Sequence, residues 1–164
     1  MVKQIVDHAK RLAIRVVPEF DNPGHSRAIG LDPYFTEIVR CFTLTDVSPV
    51  FDLRYPYTWL IAGVPTSAPL DPSMDKTYEY IQGMLTDLNN LFPDSMIHLG
   101  GDEVPTNCYY ENPKIEEYMQ KWNISTYKDL IVSHMAKVRK MLMKINHGKR
   151  PIYWSNKSTF YQKY

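Results

Sequence analysis

The chain has 164 residues, 44% of them hydrophobic and 23% charged, with a formal net charge of +1. That length is enough for one domain with a real core and too short for a complete enzyme barrel. The balanced charge, with no basic run, argues against nucleic acid or an anionic membrane as the main partner. No apolar stretch reaches the roughly 18 residues of a membrane span, and residues 1–13 lack the apolar block of a signal peptide.

In chain order, Val2, Ile5, Val6, Ala9 and Leu12 recur at spacings of three and four and predict a helix with one apolar face. Ile14-Arg15-Val16-Val17 is a β-branched run that predicts a buried strand stopped by Pro18, and Asn22-Pro23-Gly24 predicts a turn. Residues 26–70 carry many prolines and aromatics, among them Phe51, Tyr55, Tyr57 and Trp59, with no sustained period. A loop of that length is often functional. Its aromatics suit either ordinary packing or a platform on which a sugar stacks.

Asp71-Pro72 predicts a helix start, with the aspartate as cap, continued by the stripe Ile81, Met84, Leu85, Leu88, Leu91 and Phe92 up to Pro93. Met96-Ile97-His98-Leu99 predicts a short strand broken by Gly100-Gly101. Asn112-Pro113 opens a helix with Ile115, Tyr118, Met119 and Trp122 on one face. Thr126 and Asp129 have capping-box spacing for a longer helix lined by Ile131, Met135, Val138, Leu142 and Ile145 and ended by Gly148. Pro151-Ile152-Tyr153-Trp154 is the last strand candidate. Strands alternating with helices predict an α/β fold of parallel βα units. Three strands do not close a barrel, so the segment reads either as part of a larger barrel or as a smaller open sheet.

Cys41 and Cys108 fit one disulfide or two buried thiols, and composition does not choose between them. The sequons Asn123-Ile124-Ser125 and Asn156-Lys157-Ser158 permit glycosylation in a secreted chain.

The strongest chemical signal is His98-Leu99-Gly100-Gly101-Asp102-Glu103. Two adjacent carboxylates follow a strand and two glycines, and ligands of parallel α/β proteins sit at the carboxyl ends of strands. Side by side in a confined site these two carboxylates do not both ionise cheaply, so the pKa of one of the two should rise, as a general acid requires. Consecutive acids are poorly placed to straddle a sugar ring from opposite sides, at roughly 5 Å, as in an ordinary retaining glycosidase. One acid can instead protonate the leaving oxygen while its neighbour orients a nucleophile carried by the substrate, such as a 2-acetamido group. The plain alternative is a solvated pair capping the next helix.

A second motif, Pro18-Glu19-Phe20-Asp21-Asn22-Pro23-Gly24-His25, puts Glu19, Asp21 and His25 at the same rim; ordinary turn chemistry is the competing reading. His98, Asp102 and Glu103 do not have a recognised zinc spacing, and His98 reads better as a hydrogen-bonded core histidine.

Together E-F-D-x-P-G-H and H-L-G-G-D-E-V resemble family-20 glycoside hydrolases, the β-N-acetylhexosaminidases, including the lysosomal hexosaminidase type. The likeness continues in Pro69-Leu70-Asp71-Pro72-Ser73 with Thr77-Tyr78, in Phe92-Pro93-Asp94, and in Cys108 with Asn112-Pro113, and leaves out residues 42–68. The resemblance implies a (β/α)8 TIM barrel of which residues 1–164 supply about three central βα units, a single catalytic segment incomplete at both ends. It implies hydrolysis of terminal β-linked N-acetylglucosamine or N-acetylgalactosamine from glycans, with retention and with substrate assistance. Glu103 would be the acid and then the base, and Asp102 would orient the acetamido group. His25 and Asp21 would support the acid. Trp154 and Glu19 would contact substrate, and Cys41 and Cys108 would pair.

No metal or organic cofactor is implied. The partner would be a glycan or glycoconjugate, the location lysosomal or secreted, and a full-length form has room to be a homodimer. An inactive truncated fragment and a sugar-binding remnant are the alternatives. The sequence departs from the pattern where Ser155 and Asn156 follow Trp154, since the family tryptophan is usually followed two residues later by an acid. It also lacks the upstream arginine and the later aromatics of the family pocket.

Overall fold

The structure is a computed structural model that describes residues 1–42, 60–61, 64–65 and 68–154. Its elements are α1 (Val2–Arg11), β1 (Leu60–Ile61), β2 (Val64–Pro65), α2 (Asp75–Leu91), β3 (Met96–His98), α3 (Pro113–Lys121), α4 (Tyr127–Ile145) and β4 (Arg150–Ile152), with 3-10 turns at Arg27–Leu31, Thr36–Ile38 and Thr106–Tyr109. The loop aromatics Phe51, Tyr55, Tyr57 and Trp59 and the Asn156 sequon lie outside the described residues.

β3 and β4 pair in parallel, with Ile97 opposite Pro151, while β1 and β2 form a separate antiparallel pair. A third parallel segment flanks β3 on its other side. Glu19 bridges His98, with the Phe20 N–H donating to the His98 carbonyl at 2.8 Å and the His98 N–H to the Pro18 carbonyl at 2.9 Å. Three parallel strand ends therefore stand side by side in the order 18–20, β3, β4, with α2 packed against α4. Ile81 and Leu85 of α2, Ile97 and Leu99 around β3, and Leu130 and Val138 of α4 are fully buried and form the core.

Two caps follow the sequence expectation. The Asn112 side chain accepts from the Lys114 and Ile115 N–H groups with Pro113 behind it, and the Thr126 side chain accepts from the Asp129 N–H.

Other expectations change. The run 14–17 is not a buried strand: Ile14 is 58% and Val17 37% exposed, and pairing begins only at Pro18. Its β-branched residues find no partner layer among the described residues. The α1 stripe likewise buries only Ala9. Asp71 does not cap α2, which starts four residues later. Its Oδ1 accepts from the Ser73 N–H and hydroxyl, and its Oδ2 pairs with Arg40 at 2.9 Å, so the aspartate folds the approach to the helix instead. Trp122 leaves the α3 face and is 60% exposed. α4 ends at Ile145, before Gly148, and the Asn146 side chain accepts from the Gly148 N–H. No described helix is long and apolar enough to cross a membrane.

Candidate active site

The carboxyl ends of the three parallel segments converge on one cluster. Parallel pairing to β3 carries the chain from Pro18 to Phe20, and the turn beyond it, with a cis Asn22-Pro23 bond, delivers Asp21 and His25. β3 ends at His98, and the chain then turns through Gly100 (φ 66°) and Gly101 (φ 94°) to present Asp102 and Glu103. Gly100 is required by geometry as well as by its dihedral. A Cβ there would collide with the Asp21 carboxylate and come within 2.7 Å of the Asp21 Cα. His25 (φ 52°) and Glu103 (φ 48°) also hold left-handed backbone, which costs a non-glycine residue about 1 kcal/mol or more.

One imidazole nitrogen faces two acids. His25 Nε2 lies 3.5 Å from Glu103 Oε2 and 3.9 Å from Asp21 Oδ2, distances of ion pairing more than of tight hydrogen bonding. Asp21 Oδ1 accepts from the Gly101 N–H at 3.2 Å, which ties the first strand end to the second. The carboxyl with the raised pKa is Asp21, which the sequence reading did not single out for it. Burial pushes its pKa up to about 6, the charge of Asp102 adds to the shift, and the Gly101 N–H and His25 oppose it. Asp102 Oδ1 is sealed from solvent and has no hydrogen-bond partner among the described residues. A buried acceptor left unmade is costly, and a ligand N–H would satisfy it. Glu103 is the most open of the acids, its side chain 57% exposed.

The third strand end contributes Trp154, 47% exposed, whose backbone N–H donates to the Gly100 carbonyl at 3.1 Å. Its indole N–H donates to Glu19 Oε1 at 2.9 Å, and its ring lies 4.8 Å from the His98 ring. Glu19 thus reaches the cluster through Trp154. His98 is nearly buried, with Nδ1 accepting from the Gly100 N–H at 3.1 Å and lying 3.6 Å from Glu19, as a hydrogen-bonded core histidine should. Ligand atoms of Asp21, His25 and Asp102 lie within 4.8 Å of one another, a spacing a cation could bridge.

Cys41 and Cys108 form a disulfide, with their Cα atoms 5.5 Å apart. It joins the segment after the Thr36–Ile38 turn to the Thr106–Tyr109 turn that follows Glu103. Two residues of the site escape a motif-based reading. Asn22 is fully buried behind Asp21, and its Oδ1 lies 2.9 Å from Nε2 of His134 in α4. The available signal is a histidine lying inside the buried stripe of a helix, between Ile131 and Val138.

Comparisons with known proteins point to one family. The profile of Glycosyl hydrolase family 20, catalytic domain, matches residues 1–163. The human beta-hexosaminidase subunit beta is 30% identical over 148 residues, covering 90% of this chain and 24% of that protein. The Dictyostelium discoideum beta-hexosaminidase subunit A1 is 37% identical over 125 residues, covering 76% and 20%. Among solved structures, the chitobiase of Flavobacterium johnsoniae superposes with a TM-score of 0.72 at 35% identity, over 93% of this chain and 21% of that one. The chain spans about a quarter of the length of the curated relatives it matches. On the match across nearly its whole length, the chain belongs to glycosyl hydrolase family 20.

Proposed function

We propose that this chain carries the acid-bearing part of a β-N-acetylhexosaminidase. The enzyme would release terminal, non-reducing β-linked N-acetylglucosamine or N-acetylgalactosamine from glycans with retention of configuration. The observation that carries the reading is Asp102 Oδ1, a buried acceptor without a partner among the described residues, one residue from an exposed Glu103. An acetamido N–H is a donor of the kind that oxygen lacks. In this mechanism Glu103 gives its proton to the glycosidic oxygen as the bond to C1 breaks. The substrate's own acetamido oxygen forms the new bond to C1 from the opposite face, and Asp102 holds the amide N–H and offsets the positive charge of the oxazolinium-like ring. Water then opens the ring, losing its proton to Glu103.

His25 would hold Glu103 in place, and Asp21, within reach of the same nitrogen, would support His25. Trp154, fixed by Glu19, would form a wall of the acetamido pocket. No step in this sequence needs a metal or an organic cofactor. The three parallel strand ends, and relatives about four times as long, support a (β/α)8 barrel to which this chain gives about three βα units. The disulfide fits an oxidising compartment, lysosomal or extracellular.

The test is Glu103→Gln in the natural full-length protein. Turnover of an aryl β-N-acetylglucosaminide is expected to fall by about 10² to 10⁴-fold with an unchanged melting temperature. Unimpaired turnover would discard Glu103 as the acid.

A further inference from the structure

Behind the acids, away from solvent, runs a chain of buried polar groups that proton transfer does not use. The Asn22 carboxamide is fully buried, and its Nδ2 donates to the Leu99 carbonyl at 2.9 Å and to the Phe20 carbonyl at 3.3 Å. Those carbonyls belong to the two strand ends that lead into Asp21 and into Asp102 and Glu103. The backbone ladder between the two ends stops at the Phe20 N–H, because the chain after Leu99 turns away at Gly100. Beyond that point the Asn22 side chain replaces the missing rung.

A carboxamide can sit in such a place in two orientations, and only one puts donors on both carbonyls. The other would set Oδ1 against the Leu99 oxygen. His134 Nε2 lies 2.9 Å from Asn22 Oδ1, and an oxygen there requires the nitrogen to carry hydrogen. With Nε2 as the donor the opposite ring nitrogen can only accept, and it lies 3.3 Å from the Tyr78 hydroxyl, whose single hydrogen goes to the Pro72 carbonyl at 2.9 Å. Burial, with Lys137 adding, holds the His134 pKa down at about 3, so the ring stays neutral. Hydrogen bonds thus run from His134 of α4 through Asn22 to the floor of the site, with the Tyr78 hydroxyl of α2 against the far side of the ring.

We propose that His134 is a positioning residue for this reaction: its Nε2–H locks the Asn22 carboxamide in the orientation that clamps the two acid-bearing strand ends together. The role rests on reading Asp102 and Glu103 as the reacting acids. A slack clamp would let Asp21 and Gly101 separate and carry Glu103 off its line, which affects the chemical step more than ground-state binding.

In the natural full-length protein, His134→Leu is expected to lower kcat on an aryl β-N-acetylglucosaminide about 10-fold, with KM within about twofold. His134→Gln, whose amide N–H can reach the same oxygen, should return kcat to within about threefold of the wild type. Melting curves taken under assay conditions report whether each variant is folded. A folded leucine variant with wild-type kcat, or a glutamine variant no better than leucine, overturns the proposal.

Should His134→Leu fail to fold, ring-nitrogen NMR of the wild type decides. A neutral ring with hydrogen on Nε2 between about pH 5 and 8 supports the clamp, and hydrogen on Nδ1 or a ring that titrates in that range overturns it. A wild type with the expected tautomer but no hydrolysis would count against the acids and leave the clamp standing.

Discussion

The two ends of the three-stranded parallel array are built on opposite electrostatic plans. At the amino end, Arg15 forks onto Asp94 with contacts of 2.7 and 2.8 Å, and Asp94 also accepts from the Met96 N–H. Buried Lys149 donates to the carbonyls of Phe92 and Asp94. Opposite charges meet there, and the Asp94 pKa is held at about 2 by Arg15 first and the Met96 N–H second. At the carboxyl end Asp21, Asp102, Glu103 and Glu19 gather around two histidines, the Asp21 pKa rises to about 6, and two non-glycine residues hold left-handed backbone. One end of the sheet pairs opposite charges and the other gathers like charge. In α/β proteins that division places the chemistry at the carboxyl end.

The sharpest way to break the contrast is Gly100→Ala. Its Cβ would strike Asp21 and must also accept φ 66°, so a loss of several kcal/mol, on the order of 3 or more, is expected in chemical denaturation. A neutral result would mean that the two strand ends are not in contact.

Asp21→Asn should give a smaller effect of the opposite sign. The folded state binds the Asp21 proton more tightly than the unfolded chain does. The native protein therefore loses stability as pH rises from about 4 to about 6, and the loss is complete above that. Asparagine removes this slope. The variant is expected to be more stable than the wild type above pH 6, by on the order of 2 kcal/mol, and to lose the advantage near pH 4. Thermal melts across that range read it, and a wild-type curve parallel to that of the variant would contradict the buried acid.

Arg15→Met at the other end should cost least, a barely measurable drop in melting temperature, because the arginine is exposed and water screens its pairing with Asp94. Here the native pKa of Asp94 is depressed, so the contribution is present above pH 4 and disappears as pH falls toward 2. Activity should not change. A measurable fall in kcat would mean that the two ends are coupled.

What could be read in advance follows physical range. Asn112 and Thr126 cap their helices through contacts two and three residues away, so local spacing suffices to find them. Asp102 and Glu103 could be picked out as candidates because they follow a strand and two glycines, but alone the pair reads as readily as a solvated helix cap, and only the family resemblance gave it roles. Ile14, Val17, Ile5 and Leu12 misled because a pattern reports which side chains need cover, and no described element provides it. Asp71 misled because Arg40, 31 positions earlier in the chain, competes for its carboxylate. The clamp of Asn22 by His134 joins residues 112 apart and has no sequence period at all. Only the fold brings them together.

The account stands on a substrate amide meeting Asp102, and the most direct measurement compares two aryl glycosides that differ only at C2. The natural full-length protein should hydrolyse the 2-acetamido compound and cleave its 2-hydroxyl counterpart more slowly by about 10³-fold or more, and Asp102→Asn should depress only the faster of the two reactions. Equal rates on the two compounds would contradict the central claim.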